Sequence, residues 1–417
     1  MRFTREEYYF PIIIFVHLIF WAIDLLFYQG DYRFTAQHII GEVFSSWVVT
    51  VFAINFLMAT KSNWVEKIFG GLDKMYVIHR RAGGLAVILL ILHFITVPKT
   101  AEFTIGKPMG LASLVLILVG VVISVVPVFK KKLKYQNWIK IHKLMGLFYI
   151  LGIAHSLNVP TLTAELPIVR TYVLFMSFIG VLAWVYKVFL FNLFNKKLKY
   201  TIDNIKSFTN DTTELSLKPC GKQLKFTAGQ FAFISIEGFN NNEAHPFTIS
   251  NYTNEEQLRF TIKSLGDYTS ELQSTIKIGL NVKVQGPYGV FNFKKGTYKN
   301  QLWLAGGIGI TPFLSFLKDS FSDFDITLVW SVKSIEEANY KDEIDTIVSS
   351  NSNVKFIIWN SDEKGYFSVD KLYNASSIKD HSVYICGAAV MRENYITQLN
   401  EKGVSMKEIS YEEFSFR

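Results

Sequence analysis

The sequence predicts a multi-domain chain: a six-helix, all-α transmembrane bundle, then an antiparallel β-barrel, then an α/β domain built on a parallel sheet. Three observations predict it. Hydropathy is split, with long charge-free apolar runs in 1–194 and an ordinary soluble pattern in 195–417 behind a mean hydropathy of +0.22. Short alternating strands fill 195–294. Strand–helix alternation fills 295–417. Half of the 417 residues are hydrophobic, 15% are aromatic and 19% are charged, which excludes a disordered chain and a highly charged nucleic-acid binder. The net charge of +8 comes largely from Lys and Arg beside apolar spans, so it points to membrane topology and not to nucleic acid. Cys220 and Cys386 lie far apart in the soluble half, so no disulfide framework or Cys-based metal site is signalled.

Charge-free stretches run at 8–23, 43–60, 82–98, 108–129, 144–164 and 171–186. With their flanks, each approaches the roughly 20 residues that a helix needs to cross a bilayer. The first is not expected to be a cleaved signal: it follows the mixed charges Arg2, Arg5, Glu6 and Glu7, and no small-residue cleavage site comes after it. One set of loops collects Arg2, Arg5, Lys61, Lys67, Lys74, Arg80, Arg81, the Lys130–Lys132 run, Lys134, Lys140 and Lys143, and Lys187 to Lys199 follow the last span. The other set holds little beyond Arg33, Lys99, Lys107 and Arg170. The positive-inside rule then puts both termini and the soluble half in the cytoplasm, in a multi-pass protein of the plasma membrane.

Four histidines carry chemistry in the membrane half. His79 and His93 lie 14 residues apart on the third span, and His142 and His155 lie 13 apart on the fifth. Both spans run in the same direction, so at 1.5 Å per residue the two levels are about 20 Å apart on each. Matching levels pair His79 with His142 and His93 with His155, a set that fits axial ligation of two b-type haems stacked in one bundle. Fourteen residues return to one helix face, whereas thirteen leave His155 about 140° from His142. The fifth span is therefore expected to be overwound or deformed near Gly146 or Gly152, or His155 to reach around. Arg80 and Arg81 are placed either to meet haem propionates or simply as positive-inside residues. His17, His38 and His381 are expected to satisfy a backbone carbonyl or a polar neighbour.

In the soluble half, strands are predicted at 200–207, 213–218, 230–236, 247–250, 257–264 and 281–285, forming the barrel. Parallel strands follow at 301–304, 326–331, 355–359 and 381–385. On a barrel strand sits His245-Pro246-Phe247-Thr248-Ile249-Ser250, followed by Lys263, Gly266 and Thr269 in a K-S-L-G-D-Y-T block. Gly286-Pro287-Tyr288-Gly289 makes a tight turn. The stretch from Leu304 through Gly306, Gly307, Gly309, Thr311 and Pro312 leaves the first parallel strand and opens a helix, a place where backbone N–H groups can meet a pyrophosphate.

On these blocks the soluble half resembles the ferredoxin-NADP reductase superfamily. Over its whole length the chain is similar to the NADPH oxidase and ferric reductase superfamily, most closely to compact prokaryotic NADPH oxidases. The resemblance implies that His245 to Ser250 bind the flavin of FAD and that Lys263, Gly266 and Thr269 hold its phosphates. It implies that Gly306, Gly307, Gly309, Thr311 and Pro312 hold NADPH or NADH, and that Cys386 and Gly387 lie by the nicotinamide. It also implies that Phe414, in Glu412-Glu413-Phe414, covers the flavin, with Phe416 as the rival. The chain departs from the pattern in having Ala388 where proline commonly stands, and in three residues after Phe414. Ser331 and Lys333 follow the second parallel strand, where the family places groups for a 2′-phosphate. The function so implied is a superoxide-forming NADPH oxidase. Electrons pass from NADPH through FAD, the inner haem (His79, His142) and the outer haem (His93, His155) to molecular oxygen, with no obligatory cytosolic activator. Ferric-chelate reductase, electron donation to an extracytoplasmic partner, and a haem-binding or haem-transport protein with an inactive tail are the competing readings.

Overall fold

An apolar segment in hydrocarbon has no water to satisfy its backbone, so the long hydrophobic runs of the N-terminal half fold as helices. The computed structural model describes residues 9–30, 34–99, 102–133, 135–209, 211–319, 321–372 and 378–412. It divides into two compact units, one of Met1–Gly70 and Met75–Phe194, the other of Gly71–Lys74 and Asn195–Arg417. The first unit contains α1 (Tyr9–Phe27), α2 (Ala36–Ala59), α3 (Asn63–Ile68) and most of α4 (Leu72–Thr96). It continues through α5 (Gly106–Val125), α6 (Pro127–Lys132), α7 (Tyr135–Lys143), α8 (Met145–Leu157) and α9 (Pro167–Val185), which passes through a π turn into α10 (Phe191–Phe194).

Among the described residues five helical spans are long and apolar enough to cross a membrane: Phe10–Phe27, Ala36–Ala59, Leu72–Thr96, Gly106–Val125 and Pro167–Phe194. The single span expected at 144–164 is instead the pair α7 and α8, broken at Leu144. Leu144 N–H donates to Ile141 O and Leu147 N–H to Leu144 O, both at 2.9 Å, so the chain tightens to three-residue bonds there. Hydropathy alone misses such a break because it counts apolar residues and not the direction of the axis. Two buried carboxylates tie the 158–170 connection down. Asp24 accepts the Val169 N–H at 2.8 Å, and Glu42 accepts from Leu162 N at 2.8 Å and from Thr163 N and Oγ1 at 2.7 Å. These donors start helical turns and would otherwise lack partners.

The second unit opens with six antiparallel strands: β1 (Leu198–Thr209), β2 (Thr212–Pro219), β3 (Phe231–Ile236), β4 (His245–Thr248), β5 (Leu258–Lys263) and β6 (Asn281–Tyr288). Their order is β4-β3-β6-β1-β2-β5. The two edges meet through an Ile249–Phe260 bridge, with Ser250 N–H donating to Arg259 O at 2.9 Å, so the sheet closes on itself as predicted. Inward-facing Leu215, Leu217, Ile234, Phe260, Val282 and Val284 fill it. Helix α11 (Asp267–Thr275) lies between β5 and β6.

A parallel sheet follows, of β7 (Asn300–Gly306), β8 (Asp325–Val332), β9 (Val354–Asn360), β10 (Ser382–Cys386) and β11 (Ile409–Tyr411), in the order β11-β10-β7-β8-β9. Helices α12 (Thr311–Leu317), α13 (Lys341–Ser349), α14 (Ser361–Lys364) and α15 (Ala389–Glu401) alternate with the strands. Strand β11 was not among the predicted strands; three residues are too few to show a period. One face buries Trp303, Phe313, Phe316 and Phe293, and the other buries Leu302, Val383, Tyr395 and Leu399. The strand order reverses between β7 and β10, so the loops leaving those two strands part and open a crevice at their C-terminal ends.

Period-two alternation puts Arg259, Thr261 and Lys263 on one side of β5, and all three reach the segment around α13. Arg259 makes a two-pronged contact with Glu343 at 2.9 and 3.0 Å, Thr261 shares a hydrogen bond with Tyr340 at 2.6 Å, and Lys263 pairs with Glu337 at 3.1 Å. Burial opposes ionisation of Glu343, but Arg259 and Lys318 outweigh it and hold the carboxyl below its ordinary value. A lowered folded-state pKa contributes stability above the ordinary carboxylate range, and that contribution is lost as pH falls through the lowered value. Glu343→Gln should therefore cost about 1–3 kcal/mol near neutral pH. The gap from the parent should close on acidification, as read by thermal unfolding of the full chain across a pH series; a gap independent of pH would contradict the pairing.

Candidate functional site

The membrane unit brings all four histidines together in the predicted pairs. The His79 and His142 ring centres are 6.0 Å apart, and those of His93 and His155 are 6.4 Å apart. A metal bonded to one nitrogen of each ring at roughly 2.0–2.1 Å leaves the ring centres about 6 Å apart, so both pairs have the separation of two imidazoles on one ion. The thirteen-residue spacing is accommodated by the break at Leu144, between His142 on α7 and His155 on α8. Straight-helix geometry would have put these two on different faces. The tightened turn restores the phase, next to Gly146, as the sequence anticipated.

Second partners orient the rings. His93 Nδ1 lies 2.8 Å from Gly41 O and His155 Nδ1 lies 2.9 Å from Gly106 O. A carbonyl only accepts, so each Nδ1 carries the proton and Nε2 keeps its lone pair, the arrangement of a metal-ligating histidine. His79 bonds the backbone of Asn55, and His142 Nδ1 lies 3.3 Å from Ser124 Oγ. Gly110 on α5 is required beside His155, because a Cβ there would stand 2.6 Å from the ring Nδ1. Gly41, Gly106, Gly110, Asn55 and Ser124 were all missed in the sequence, where nothing marks a residue that acts through another helix. Among the described residues no group of three or more His, Cys, Asp and Glu is assembled for a metal.

The remaining histidines divide. His38 Nδ1 meets Thr35 Oγ1 at 3.1 Å and His381 bonds the Ile378 backbone, as expected. His17 departs from expectation: it is wholly buried, stacked on Tyr172 with centres 4.5 Å apart, and neither ring nitrogen has a hydrogen-bond partner among the described residues. Packing of its ring face, and not a polar contact, holds it.

In the soluble unit, the β4 block and the α11 start lie together. The His245 ring stacks on Tyr268 with centres 3.5 Å apart, beside Glu243 at 3.5 Å. Pro246 and Phe247 lie on β4 opposite Phe233 and Ala232, and Thr248 and Ile249 are buried. Ser250 Oγ receives Arg259 Nε at 3.1 Å. The Lys263 ammonium is held between Asp211 at 3.2 Å and Glu337 at 3.1 Å. Thr269 Oγ1 accepts from Leu265 N at 2.9 Å and Gly266 N at 3.1 Å, which caps α11.

The crevice between β7 and β10 gathers the other predicted residues. Strand β7 ends at Gly306, Gly307 to Ile310 form a single turn, and α12 starts at Thr311 with Pro312 in its first turn. Gly307 adopts a φ of +52° and its carbonyl takes the Trp330 indole N–H at 2.9 Å. A Cβ on Gly309 would sit 2.2 Å from Cys386 O, so that glycine alone lets the two loops touch. Gly387 lies against Gly306. Ser331, opposite Gly306 in register, meets Tyr395 OH at 3.4 Å, and Lys333 is exposed two residues on. Strand β11 lays Glu412 beside Cys386, with its Oε2 3.8 Å from Sγ. Burial pushes both the Cys386 thiol and the Glu412 carboxyl well above their ordinary values. Phe414 and Phe416 lie outside the described residues.

Comparison with known proteins follows the same division. Residues 44–153 match the family described as ferric reductase like transmembrane component, and residues 197–292 match an FAD-binding domain. The chain is a protein of the ferric reductase/NADPH oxidase type. Residues 292–407 of this reductase-type chain match the adenylate-forming reductase 03009 C-terminal domain. Ferric reduction oxidase 8 of Arabidopsis thaliana is 30% identical over 177 residues, covering 38% of this chain and 24% of that protein. Dual oxidase 2 of Sus scrofa is 28% identical over 139 residues, covering 31% of this chain and 9% of that protein. Flavohemoprotein A of Dictyostelium discoideum is 26% identical over 238 residues, covering 52% of this chain. The chain spans 60% of that relative's length and far less of the first two. A flavohemoglobin structure from Malassezia yamatoensis, with bound FAD and heme, aligns over 92% of this chain and 99% of its own at a TM-score of 0.54. At 16% identity that likeness is one of fold.

The Gly309 contact yields a test within this reductase-type fold. Gly309→Ala should force the β7 and β10 loops apart, cost about 1–3 kcal/mol of stability and weaken nicotinamide-nucleotide binding at least tenfold. Equilibrium titration of the full chain with NADP+ and NAD+ checks this; unchanged affinity would remove the contact from the site.

Proposed function

We propose that this chain is a transmembrane NADPH oxidase that moves electrons from cytoplasmic NADPH across the membrane to molecular oxygen. The observation that carries the reading is the pair of histidine pairs, at 6.0 and 6.4 Å, held at two levels by α4 on one side and by α7 and α8 on the other. FAD bound at the barrel would take a hydride and release electrons singly, and two b-type haems between the histidine pairs would relay them. The balance is one NADPH and two O2 giving NADP+, one proton and two superoxide.

On this reading each residue takes one role. His79 and His142 would hold the inner haem and His93 and His155 the outer one, with the Nδ1 protons of His93 and His155 anchored on carbonyls so that Nε2 is free to ligate. His245, Pro246, Phe247, Thr248, Ile249 and Ser250 line the flavin; Gly266 and Thr269 open the α11 start to its phosphates, with Lys263 beside them. Gly306, Gly307, Gly309, Thr311, Pro312 and Gly387 form the nucleotide cradle, where backbone N–H groups meet phosphate oxygens. Cys386, kept as a neutral thiol by burial, gives the nicotinamide a wall without negative charge. Phe414, on the family resemblance alone, would cover the flavin. Ser331 and the exposed Lys333 favour NADPH over NADH at the 2′-phosphate. A haem held by two histidines would offer oxygen no vacant iron position and would supply electrons from its edge. The lysine-rich loops set the soluble unit on the cytoplasmic side of the plasma membrane, and the enzyme works without an obligatory cytosolic activator.

Ferric-chelate reduction is the second reading, favoured by the family matched over 44–153. The FAD-loaded, haem-loaded full chain should reduce cytochrome c with NADPH, and superoxide dismutase should abolish that signal. Reduction indifferent to dismutase would transfer the assignment to a metal or protein acceptor. His93→Ala should leave NADPH-driven reduction of one haem intact while lowering cytochrome c reduction at least a hundredfold; full activity would place the acceptor at the inner level.

A further inference from the structure

The four histidines are not anchored alike. Two Nδ1 groups, on His93 and His155, use backbone carbonyls, whereas His142 uses a side chain, Ser124 Oγ on α5. That oxygen is also 2.7 Å from Gly120 O and 3.2 Å from the Trp138 indole nitrogen. Proton counting orders the three contacts. A serine hydroxyl has one proton and two lone pairs. Gly120 O can only accept, so at 2.7 Å it takes the serine proton, and the indole N–H only donates. The third contact must then run from His142 Nδ1–H to Ser124 Oγ. Trp138, one turn before His142 on α7, also stacks on its ring, with centres 5.1 Å apart and planes 21° from parallel.

We propose that Ser124 and Trp138 are positioning residues that set the reduction potential of the haem held by His79 and His142. This rests on the haem reading above. An acceptor on Nδ1–H makes the imidazole a stronger electron donor and stabilises ferric iron. Ser124 is that acceptor. Trp138 competes for the same oxygen, because an oxygen already accepting one N–H accepts the second less strongly; the indole thus restrains the serine. The two side chains therefore push the potential in opposite directions. The carbonyl-anchored outer pair has no such mutable element, so the device acts on one haem.

The test is a potentiometric titration of the haem-loaded full chain in detergent, read by haem absorbance, together with haem content and the low-spin signal by electron paramagnetic resonance. Ser124→Ala should raise one of the two potentials by a factor of about ten in the reduction equilibrium, about 59 mV for one electron. Trp138→Phe, which keeps the stacked ring and removes the N–H, should lower the same potential. Ser124→Thr, which keeps the hydroxyl, should stay at the parent value. Shifts of the same sign in the alanine and phenylalanine variants, a shift of both haems, or no shift would overturn the proposal. If Ser124→Ala fails to fold, the phenylalanine and threonine variants decide by the same signs. A parent chain that binds no haem, or haem without the low-spin bis-histidine signal, would sink the functional reading itself and is distinguishable at once.

Discussion

Two imidazoles can share one metal only if both rings face the same point, and the chain brings two such ring pairs together at two levels, between α4 and the α7–α8 segment. On α4 the condition costs nothing, because fourteen residues bring His79 and His93 back to one face. On the partner segment the spacing is thirteen, and a straight helix would fail. The chain meets the condition by breaking at Leu144, where three-residue hydrogen bonds separate α7 from α8. Other features of the membrane unit depend on that break. Gly110 clears room for His155, and Ser113 Oγ donates to Phe148 O at 2.7 Å, tying α5 to α8 just past it.

Ring orientation then becomes a matter of proton placement. Each Nδ1–H needs an acceptor, which leaves Nε2 with its lone pair free, and in hydrocarbon such an acceptor must come from the protein. Backbone carbonyls at Gly41 and Gly106 do this where α2 and the start of α5 come close. At His142 the nearest acceptor is the Ser124 hydroxyl, which brings the Trp138 indole into the same network. A carbonyl is a fixed acceptor, while a hydroxyl can be strengthened or weakened by its other partners.

In the soluble unit the governing constraint is backbone proximity. The loops leaving β7 and β10 come so close that Gly309 has no room for a side chain, and this closeness puts Cys386 and Gly387 beside the Gly306–Gly309 turn. Strand β11 extends the sheet past β10 and sets Glu412 against Cys386, so the end of the described chain becomes part of the crevice. Across the unit, the Arg259–Glu343 pair and the Thr261–Tyr340 hydrogen bond hold barrel and sheet together.

Periodicity and spacing were enough to determine the helical half, the barrel strands, the parallel strands and the pairing of the four histidines, because each depends on residues a fixed number of positions apart. The Gly306–Pro312 loop was legible from its spacing, with Gly307 turning the chain at a φ of +52°, although the need for glycine at 309 comes from the contact with Cys386. Tertiary structure alone decided the rest. The break fell at Leu144, β11 formed by pairing with β10, and Lys263 settled between Asp211 and Glu337. His17 kept its ring nitrogens without a hydrogen-bond partner among the described residues, against the expectation from the sequence. The acceptors at Gly41, Gly106 and Ser124 are likewise tertiary, since they lie 52, 49 and 18 residues from the histidines they hold. A sequence records which side chain is present and its neighbours along the chain; a hydrogen bond between helices depends on where two axes cross, and only packing sets that.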